Sequence, residues 1–187
     1  MGDQVASDER VPARHPATPA GTPLRDVLAE FATGVTVLTV AGERPHGMTA
    51  NSVTSVSLDP PLVLCCVART ARMHDAIAST GRLGVSVLGR GQEQLARYFA
   101  DKRRPEGAAQ FDRVDWCPGP YTGAPLLSGA LAWLECEVAE TYEGGDHSIF
   151  LSRVLDATRR DRRLPGLVFF RSAFHRAVAD QDALTRP

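Results

Sequence analysis

The 187-residue chain has the length of a single domain, and its 43% hydrophobic and 23% charged residues are typical of a folded globular protein, which argues against a disordered chain. Its 21 Lys and Arg are balanced by 22 Asp and Glu, so no strong positive field favours nucleic acid as a partner. No apolar run reaches the roughly 20 residues that span a bilayer, and residues 1–22 lack the apolar stretch of a signal peptide, which predicts a cytoplasmic protein without membrane segments.

The start of the chain predicts an arm followed by a short helix. Residues 1–22 contain several prolines and no hydrophobic periodicity, so we expect a flexible arm before a domain at 23–178, with a C-terminal tail at 179–187. A helix is predicted to begin at Thr22 and Pro23 and to end near Gly34. Its apolar face would consist of Leu24, Val27, Leu28 and Phe31.

Strand signals dominate the next segment. The β-branched run 35–41, a turn at 42–45 and an extended stretch at 46–57 predict a hairpin. Asp59-Pro60-Pro61 ends this hairpin, and the continuous apolar run 62–67 predicts a buried strand.

A helix, a strand and a second helix are predicted after the buried strand. Thr70 is a candidate cap for a helix that runs to Thr80 and stops at Gly81. Residues 82–88 have the pattern of a strand, and Gly89 and Gly91 precede a helix that contains Leu95, Ala96 and Phe99.

The C-terminal half combines a loop with further strands. Prolines and glycines in 101–129 predict a long surface loop, whereas 130–142, 147–158 and 167–170 have strand patterns. About seven strands with two or three short helices indicate a mainly β fold of the barrel type.

The cysteines and histidines predict no metal site. Cys65 and Cys66 are adjacent in an apolar run, Cys117 and Cys136 lack metal-type spacing, and the five histidines are scattered. We therefore expect reduced, mostly buried thiols.

Two segments have the composition of a cofactor site, although neither common nucleotide-binding glycine motif is present. The stretch 47–57 contains five Ser or Thr and Asn51, which suits the polar edge of a flavin and the close approach of its ring. The alternative is an ordinary solvent-facing strand. Arg69, Thr70 and Arg72 would bind a phosphate at a helix N-terminus, or Arg69 and Arg72 are solvated surface charges.

Five segments in this order resemble the short-chain flavin reductase family, over residues 24–176. They are Phe31-Ala-Thr-Gly-Val-Thr-Val37, Gly47-Met-Thr-Ala-Asn-Ser52, Ser55-Val-Ser-Leu-Asp-Pro-Pro61, Gln94-Leu-Ala-Arg-Tyr-Phe-Ala100 and Gly145-Asp-His147. The resemblance implies an FMN-binding split β-barrel, a homodimer with flavin near the subunit interface, and reduction of FMN or FAD by NADH or NADPH. It also implies a flavin-dependent monooxygenase as the partner that receives the reduced flavin.

The resemblance also implies roles for particular residues. Contacts to the flavin ring and ribityl chain would come from Thr49, Ala50, Asn51 and Ser52, with Ser57 in the same neighbourhood. Phosphate contacts would come from Arg69 and Thr70.

Two further positions have competing interpretations. Phe99 resembles a residue that closes over the cofactor, or it is a core residue on a helix face. His147 resembles the histidine that faces the nicotinamide, which makes it the candidate catalytic residue, or it is a structural residue beside a turn. Asp146 is left out of the site as a turn former, and the role of Arg171 is undecided.

The main alternative function is a split-barrel module that binds flavin or haem without turnover, because one fold hosts several functions. An open flavin face beside His147 would favour the reductase, and a blocked face would favour the binding module. An oxidase of the pyridoxamine phosphate type has no supporting motif in the chain.

Overall fold

A computed structural model describes residues 23–160 and 164–177. The described α-helices are α1 (Leu24–Leu28), α2 (Arg72–Thr80) and α3 (Glu93–Ala100), with 3-10 helices at Arg90–Gln92 and Gly107–Phe111. The strands are β1 (Thr33–Gly34), β2 (Thr36–Val40), β3 (His46–Ala50), β4 (Val53–Leu58), β5 (Pro61–Ala68), β6 (Arg82–Val87), β7 (Trp116–Pro118), β8 (Pro125–Leu127), β9 (Ala132–Gly144), β10 (His147–Arg159), β11 (Gly166–Phe170) and β12 (Ala173–Ala177). The predicted arm 1–22 and tail 179–187 lie outside the described residues.

Seven antiparallel strands form the main sheet in the order β3-β2-β6-β9-β10-β5-β4. The two edge strands, β3 and β4, are consecutive in the chain and are joined only by Asn51 and Ser52. This link also bonds to β5, because the Ser52 hydroxyl donates to the Cys66 carbonyl over 2.7 Å and the Cys66 N–H donates to the Ser52 carbonyl over 3.4 Å. The sheet therefore curves until its two edges meet at this dipeptide, as in a barrel.

Strand β2 is buried at all five positions and separates two apolar cores. Because successive side chains of a strand point to opposite faces, Leu38 and Val40 join one core while Val37 joins the other. Helix α2 packs on the first core through Met73 and Ile77, and helix α3 packs on the second through Ala96 and Phe99. Both helices also contact β3, so the edge strand lies between them.

The segment that follows α3 covers the first half of β3 through Gln110, a fully buried side chain. Its Oε1 accepts the Gly47 N–H over 2.8 Å, and its Nε2 donates to the carbonyls of Pro45 and Gly107, each over 2.8 Å. Gly47 allows the close approach of the underlying core, because a Cβ there would lie 2.6 Å from Cε1 of Phe99. An edge N–H group that would otherwise be open to another strand is thus satisfied by a side chain.

Several predicted elements differ from the structure. The first helix ends at Leu28, well before Gly34, and Ala71 instead of Thr70 precedes helix α2. The predicted stretch 46–57 is interrupted by the Asn51–Ser52 link. The predicted surface loop 101–129 is wrong in part, because it contains β7 and β8 and places several side chains in the interior. These are Gln110, Phe111, Ala124, Leu126 and Leu127.

The other elements agree with the structure, including the stop of α2 at Gly81, whose positive φ of 64° defines the helix end. The thiols are free, and burial raises the pKa of Cys65 and of Cys136 to about 12. Cys65 and Cys136 are buried, Cys66 is half-buried and Cys117 is exposed, so the predicted burial holds for two of the four thiols. Across residues 23–160 and 164–177 there is neither a cluster of metal-ligand side chains nor a helix long and apolar enough to cross a membrane.

Candidate active site

A cleft of about 500 Å³ runs along β3 between helices α2 and α3. This volume lies in the usual range for small-molecule sites. The cleft brings together seven of the nine residues assigned to the site from the sequence. They are Thr49, Ala50, Asn51, Ser52, Thr70, Phe99 and His147.

Strand pairing explains why distant parts of the chain meet here. His147 at the start of β10 pairs with Ala68 at the end of β5, and helix α2 begins four residues later at Arg72. Cys66 on the same strand β5 bonds to the link at Ser52. The edge strand β3, the end of β5 and the start of β10 therefore form one continuous wall.

The hydroxyl groups of Thr49 and Ser52 already donate hydrogen bonds within the protein. Thr49 Oγ1 donates to the Ala96 carbonyl over 2.6 Å, and Ser52 Oγ donates to the Cys66 carbonyl. Toward a ligand, these two oxygens remain only as acceptors. The Asn51 side chain, in contrast, is exposed to the cleft and makes no hydrogen bond within residues 23–160 and 164–177.

The cleft combines an apolar surface with polar edges. Small and apolar side chains form the surface, namely Met48, Ala50, Val67, Ala68 and Ala71. Asn51 offers an amide donor and an acceptor at one end, and Thr70 offers a hydroxyl beside the start of α2. An isoalloxazine ring needs an apolar face and a polar edge, so these residues fit a flavin.

Two of the predicted cofactor ligands do not line this cleft. Ser57 lies near the far end of β4, where its hydroxyl accepts the Asp59 N–H over 3.2 Å. The Arg69 guanidinium pairs with Glu143 over 3.3 Å, outside the cleft wall. The roles predicted for these two residues thus have no support from the geometry of the cleft.

The structure supports the alternative interpretation of Phe99 as a core residue. The side chain is completely buried, and its ring packs against Tyr98 and Phe111 in the core under α3. It forms the floor of the cleft at Gly47 and does not cover the cavity from outside.

His147 is held by its neighbour. Nδ1 of the imidazole lies 2.8 Å from Oδ1 of Asp146, and this hydrogen bond lowers the pKa of the Asp146 carboxyl. A carboxylate can only accept, so this contact places a proton on Nδ1 and leaves Nε2 as the ring nitrogen that can contact a ligand. Asp146, which sequence reasoning left out, therefore orients the candidate catalytic side chain.

Sequence reasoning also missed three lining residues at the start of β3 and after α3. They are His46, Lys102 and Arg104, and they line the cleft together with Arg72 at the start of α2, which the sequence had offered as a phosphate ligand. The basic run Lys102-Arg-Arg104 was a visible signal, but it lay in the segment predicted to be a surface loop.

Comparison with known proteins identifies the family. Residues 28–177 match the model of the flavin reductase like domain. The NADH-dependent FAD reductase of Streptomyces globisporus is 54% identical over 159 residues, which are 85% of this chain and 87% of that protein.

Solved structures agree with this result. The flavin reductase component BorF of a bacterial two-component tryptophan halogenase superposes with a TM-score of 0.80 at 51% identity, over 84% of this chain and 98% of that one. The styrene monooxygenase flavin reductase of Pseudomonas putida S12 gives 0.74 at 37% identity, over 85% and 99%. The predicted split-barrel fold and the predicted resemblance are confirmed, and the chain belongs to the flavin reductase family.

Proposed function

We propose that this protein transfers hydride from NADH to FAD or FMN bound in the cleft along β3. The observation that carries this proposal is the convergence of Asn51, Thr70 and His147 on one open cavity with an apolar floor. The names of the relatives, which specify NADH-dependent reduction of FAD or flavin, support the same chemistry. NADPH as the donor stays an alternative within the proposal.

The residues of the cleft act mainly by positioning. A flavin bound here supplies the ring that accepts the hydride. Asn51 can bond to the polar edge of the ring, and the apolar surface at Ala50 and Val67 excludes water from its face. His147, fixed through Asp146, can orient the nicotinamide through its free Nε2. The roles predicted for Thr49, Ser52 and Thr70 are retained here as ligand contacts.

We also propose that the reduced flavin dissociates from the cleft and is used by a partner protein, a flavin-dependent monooxygenase component. The names of two relatives describe the flavin reductase of a monooxygenase, and the name of a third describes the flavin reductase component of a two-component tryptophan halogenase. The polar contacts of the cleft are single hydrogen-bonding groups on an open wall, which suits exchange of the flavin.

The first expected result concerns the activity itself. Purified protein should oxidise NADH only when FAD or FMN is added, because the hydride needs an acceptor and the cleft fits the ring of a flavin. The decrease in absorbance of the nicotinamide band measures the reaction. Binding of flavin without consumption of NADH or NADPH would reject the reductase and support the non-catalytic binding module.

We further propose a homodimer, on the evidence of α1. The apolar face of this helix, continued by Phe31, is at least half exposed at every position, with Leu24 59%, Val27 50%, Leu28 53% and Phe31 68% accessible. Glu30 and Arg171 hold the helix on the β11–β12 hairpin through a 2.8 Å ion pair, so the exposed face is presented on a fixed element. A self-complementary apolar patch is what a two-fold interface needs.

Replacing Phe31 with glutamate should convert the dimer into a monomer, because burying an unpaired carboxylate at an interface is strongly unfavourable. Light scattering at micromolar concentration measures the mass. Leu164→Glu is the matched control, since Leu164 is similarly exposed, at 52%, but lies outside the apolar patch formed by α1 and Phe31. A wild-type monomer that binds flavin would contradict the proposal.

The thiols favour a reducing compartment as the location. Cys65, Cys66, Cys117 and Cys136 are all free in the structure. Proteins that persist with several free cysteines are typical of the cytoplasm, so we propose a cytoplasmic location.

A further inference from the structure

The candidate catalytic residue His147 lies where β10 begins, at the end of the sheet. It pairs with Ala68, the last residue of β5, and the turn before it contains Asp146, whose side chain is 92% exposed. The hydrogen bond to Asp146 orients the imidazole relative to this turn but does not attach the turn to the rest of the protein. Segments at the ends of elements open more readily than the middle of a core strand. The position of His147 in the cleft therefore depends on what holds the start of β10.

Besides the pairing of the strands, two hydrogen bonds attach the start of β10 to its neighbours within residues 23–160 and 164–177. The Arg69 N–H, just after β5, donates to the Asp146 carbonyl over 3.0 Å. Ser148, the residue after His147, bonds through its hydroxyl to Nε2 of His74 in the first turn of α2, over 2.9 Å. Among the described residues, the bond between Ser148 and His74 is the only side-chain hydrogen bond that joins α2 to β10.

The bond between Ser148 and His74 lies behind the wall of the cleft. Successive side chains of a strand point to opposite faces, so His147 faces the cleft whereas Ser148, which is 6% exposed, faces α2. The His74 side chain is 20% exposed, and its ring packs against Phe150 with the ring centroids 5.4 Å apart. The contact persists in either charge state of the imidazole, because the hydroxyl donates to a neutral Nε2 and accepts from a protonated one.

This arrangement is not itself a nucleophilic site. Oδ1 of Asp75 lies 3.3 Å from Nδ1 of His74, so a carboxylate, an imidazole and a hydroxyl follow one another in the order of a catalytic triad. Ser148, however, is buried and does not line the cleft, so a substrate in the cleft does not reach its hydroxyl. What the hydroxyl affects is the position of the strand that carries it.

We propose that His74, through its bond to Ser148, is a positioning residue for hydride transfer. It anchors the first residues of β10 to α2 and thereby sets where His147 lies beside the nicotinamide. The inference rests on the proposed function, because it gives His74 a role in that reaction at the same cleft. Ala71, which precedes α2, makes no side-chain capping hydrogen bond, so the bond of His74 also holds the first turn of this helix. Without it, a small displacement of His147 would slow the reaction while every ligand contact stays in place.

Three variants separate the hydrogen bond from the packing of the ring. Ser148→Ala and His74→Phe both remove the bond, and we expect single-turnover reduction of bound flavin at saturating NADH to slow about five- to tenfold, with the flavin Kd within about twofold of wild type. His74→Phe keeps an aromatic ring against Phe150, whereas His74→Gln loses the ring but keeps a donor and an acceptor. His74→Gln should therefore reduce flavin at nearly the wild-type rate. A fast His74→Phe together with a slow His74→Gln would overturn the proposal.

A second comparison tests whether the effect passes through His147. In a His147→Ala background, Ser148→Ala should slow reduction less than about twofold further, because the side chain that the bond positions is gone. Ser86→Ala is the matched control and should keep the wild-type rate, since Ser86 is fully buried and accepts one hydrogen bond, from the Leu127 N–H over 3.0 Å, but does not line the cleft. An undiminished loss in the His147→Ala background, or equal slowing in Ser86→Ala, contradicts the role of His74. Absence of flavin reduction by the wild-type protein would instead reject the proposed function, and this inference with it.

Discussion

His147→Ala should reduce flavin about ten- to a hundredfold more slowly than the wild-type protein while its flavin affinity stays nearly unchanged. The reason is geometric, because hydride transfer depends on reacting atoms about 3 to 3.5 Å apart, and a misplacement of about 1 Å can cost on the order of a hundredfold in rate. His147 lines the cleft on the side of Ala68 and is oriented by Asp146 over 2.8 Å. Single-turnover reduction of bound flavin by NADH measures the effect.

Thermal stability separates this role from a structural one. The only side-chain hydrogen bond of His147 within the described residues goes to Asp146, which is 92% exposed, so the melting temperature should hardly change. His175→Ala removes a comparable exposed imidazole on β12 and serves as the control for both measurements. Unchanged reduction kinetics in His147→Ala would remove the residue from the site, and a joint loss of stability and flavin binding would assign it to the turn.

A Gln110→Leu substitution should lower the free energy of unfolding by about 2 to 4 kcal/mol, because it leaves several buried backbone groups without partners. The lost contacts are those to the Gly47 N–H and to the carbonyls of Pro45 and Gly107. Denaturant unfolding of wild type and variant gives the difference directly.

The same substitution at an exposed position provides the control for Gln110. Gln94 lies on the exposed face of α3, so Gln94→Leu should change stability by less than about 0.5 kcal/mol. If Gln110→Leu were as stable as Gln94→Leu, the buried amide would not hold the segment after α3 on β3.

Local sequence patterns predicted the strands and the polar residues that line the cleft around Asn51. The β-branched run at β2 and the apolar run at β5 form strands because they fill the two cores, and Thr49, Asn51 and Ser52 stay together in space because they are adjacent in the chain. The basic residues Lys102 and Arg104 could not be found in this way. They line the cleft just after α3, where Nη2 of Arg104 contacts the Gly47 carbonyl, 57 residues away in the chain.

Whether Arg69 or Arg72 lines the cleft also depends on the three-dimensional structure. Both belong to one short basic segment, but β5 ends at Ala68 and α2 begins at Arg72, so the chain turns between them. The turn directs Arg69 to Glu143 and Arg72 to the cleft. Composition identifies such a segment, and only the turn geometry decides which of the two residues lines the cleft.

Because both sheet edges meet at Asn51 and Ser52, a ligand bound there stabilises the folded protein. A flavin that contacts β3, this dipeptide and β5 binds only while these parts stay together, so its binding energy adds to the energy needed to pull them apart. For a ligand at a hundred times its Kd this linkage amounts to about 2.7 kcal/mol. A reductase that hands its flavin to another protein therefore gives up part of its own stability at every delivery, and it regains that part when the next flavin arrives.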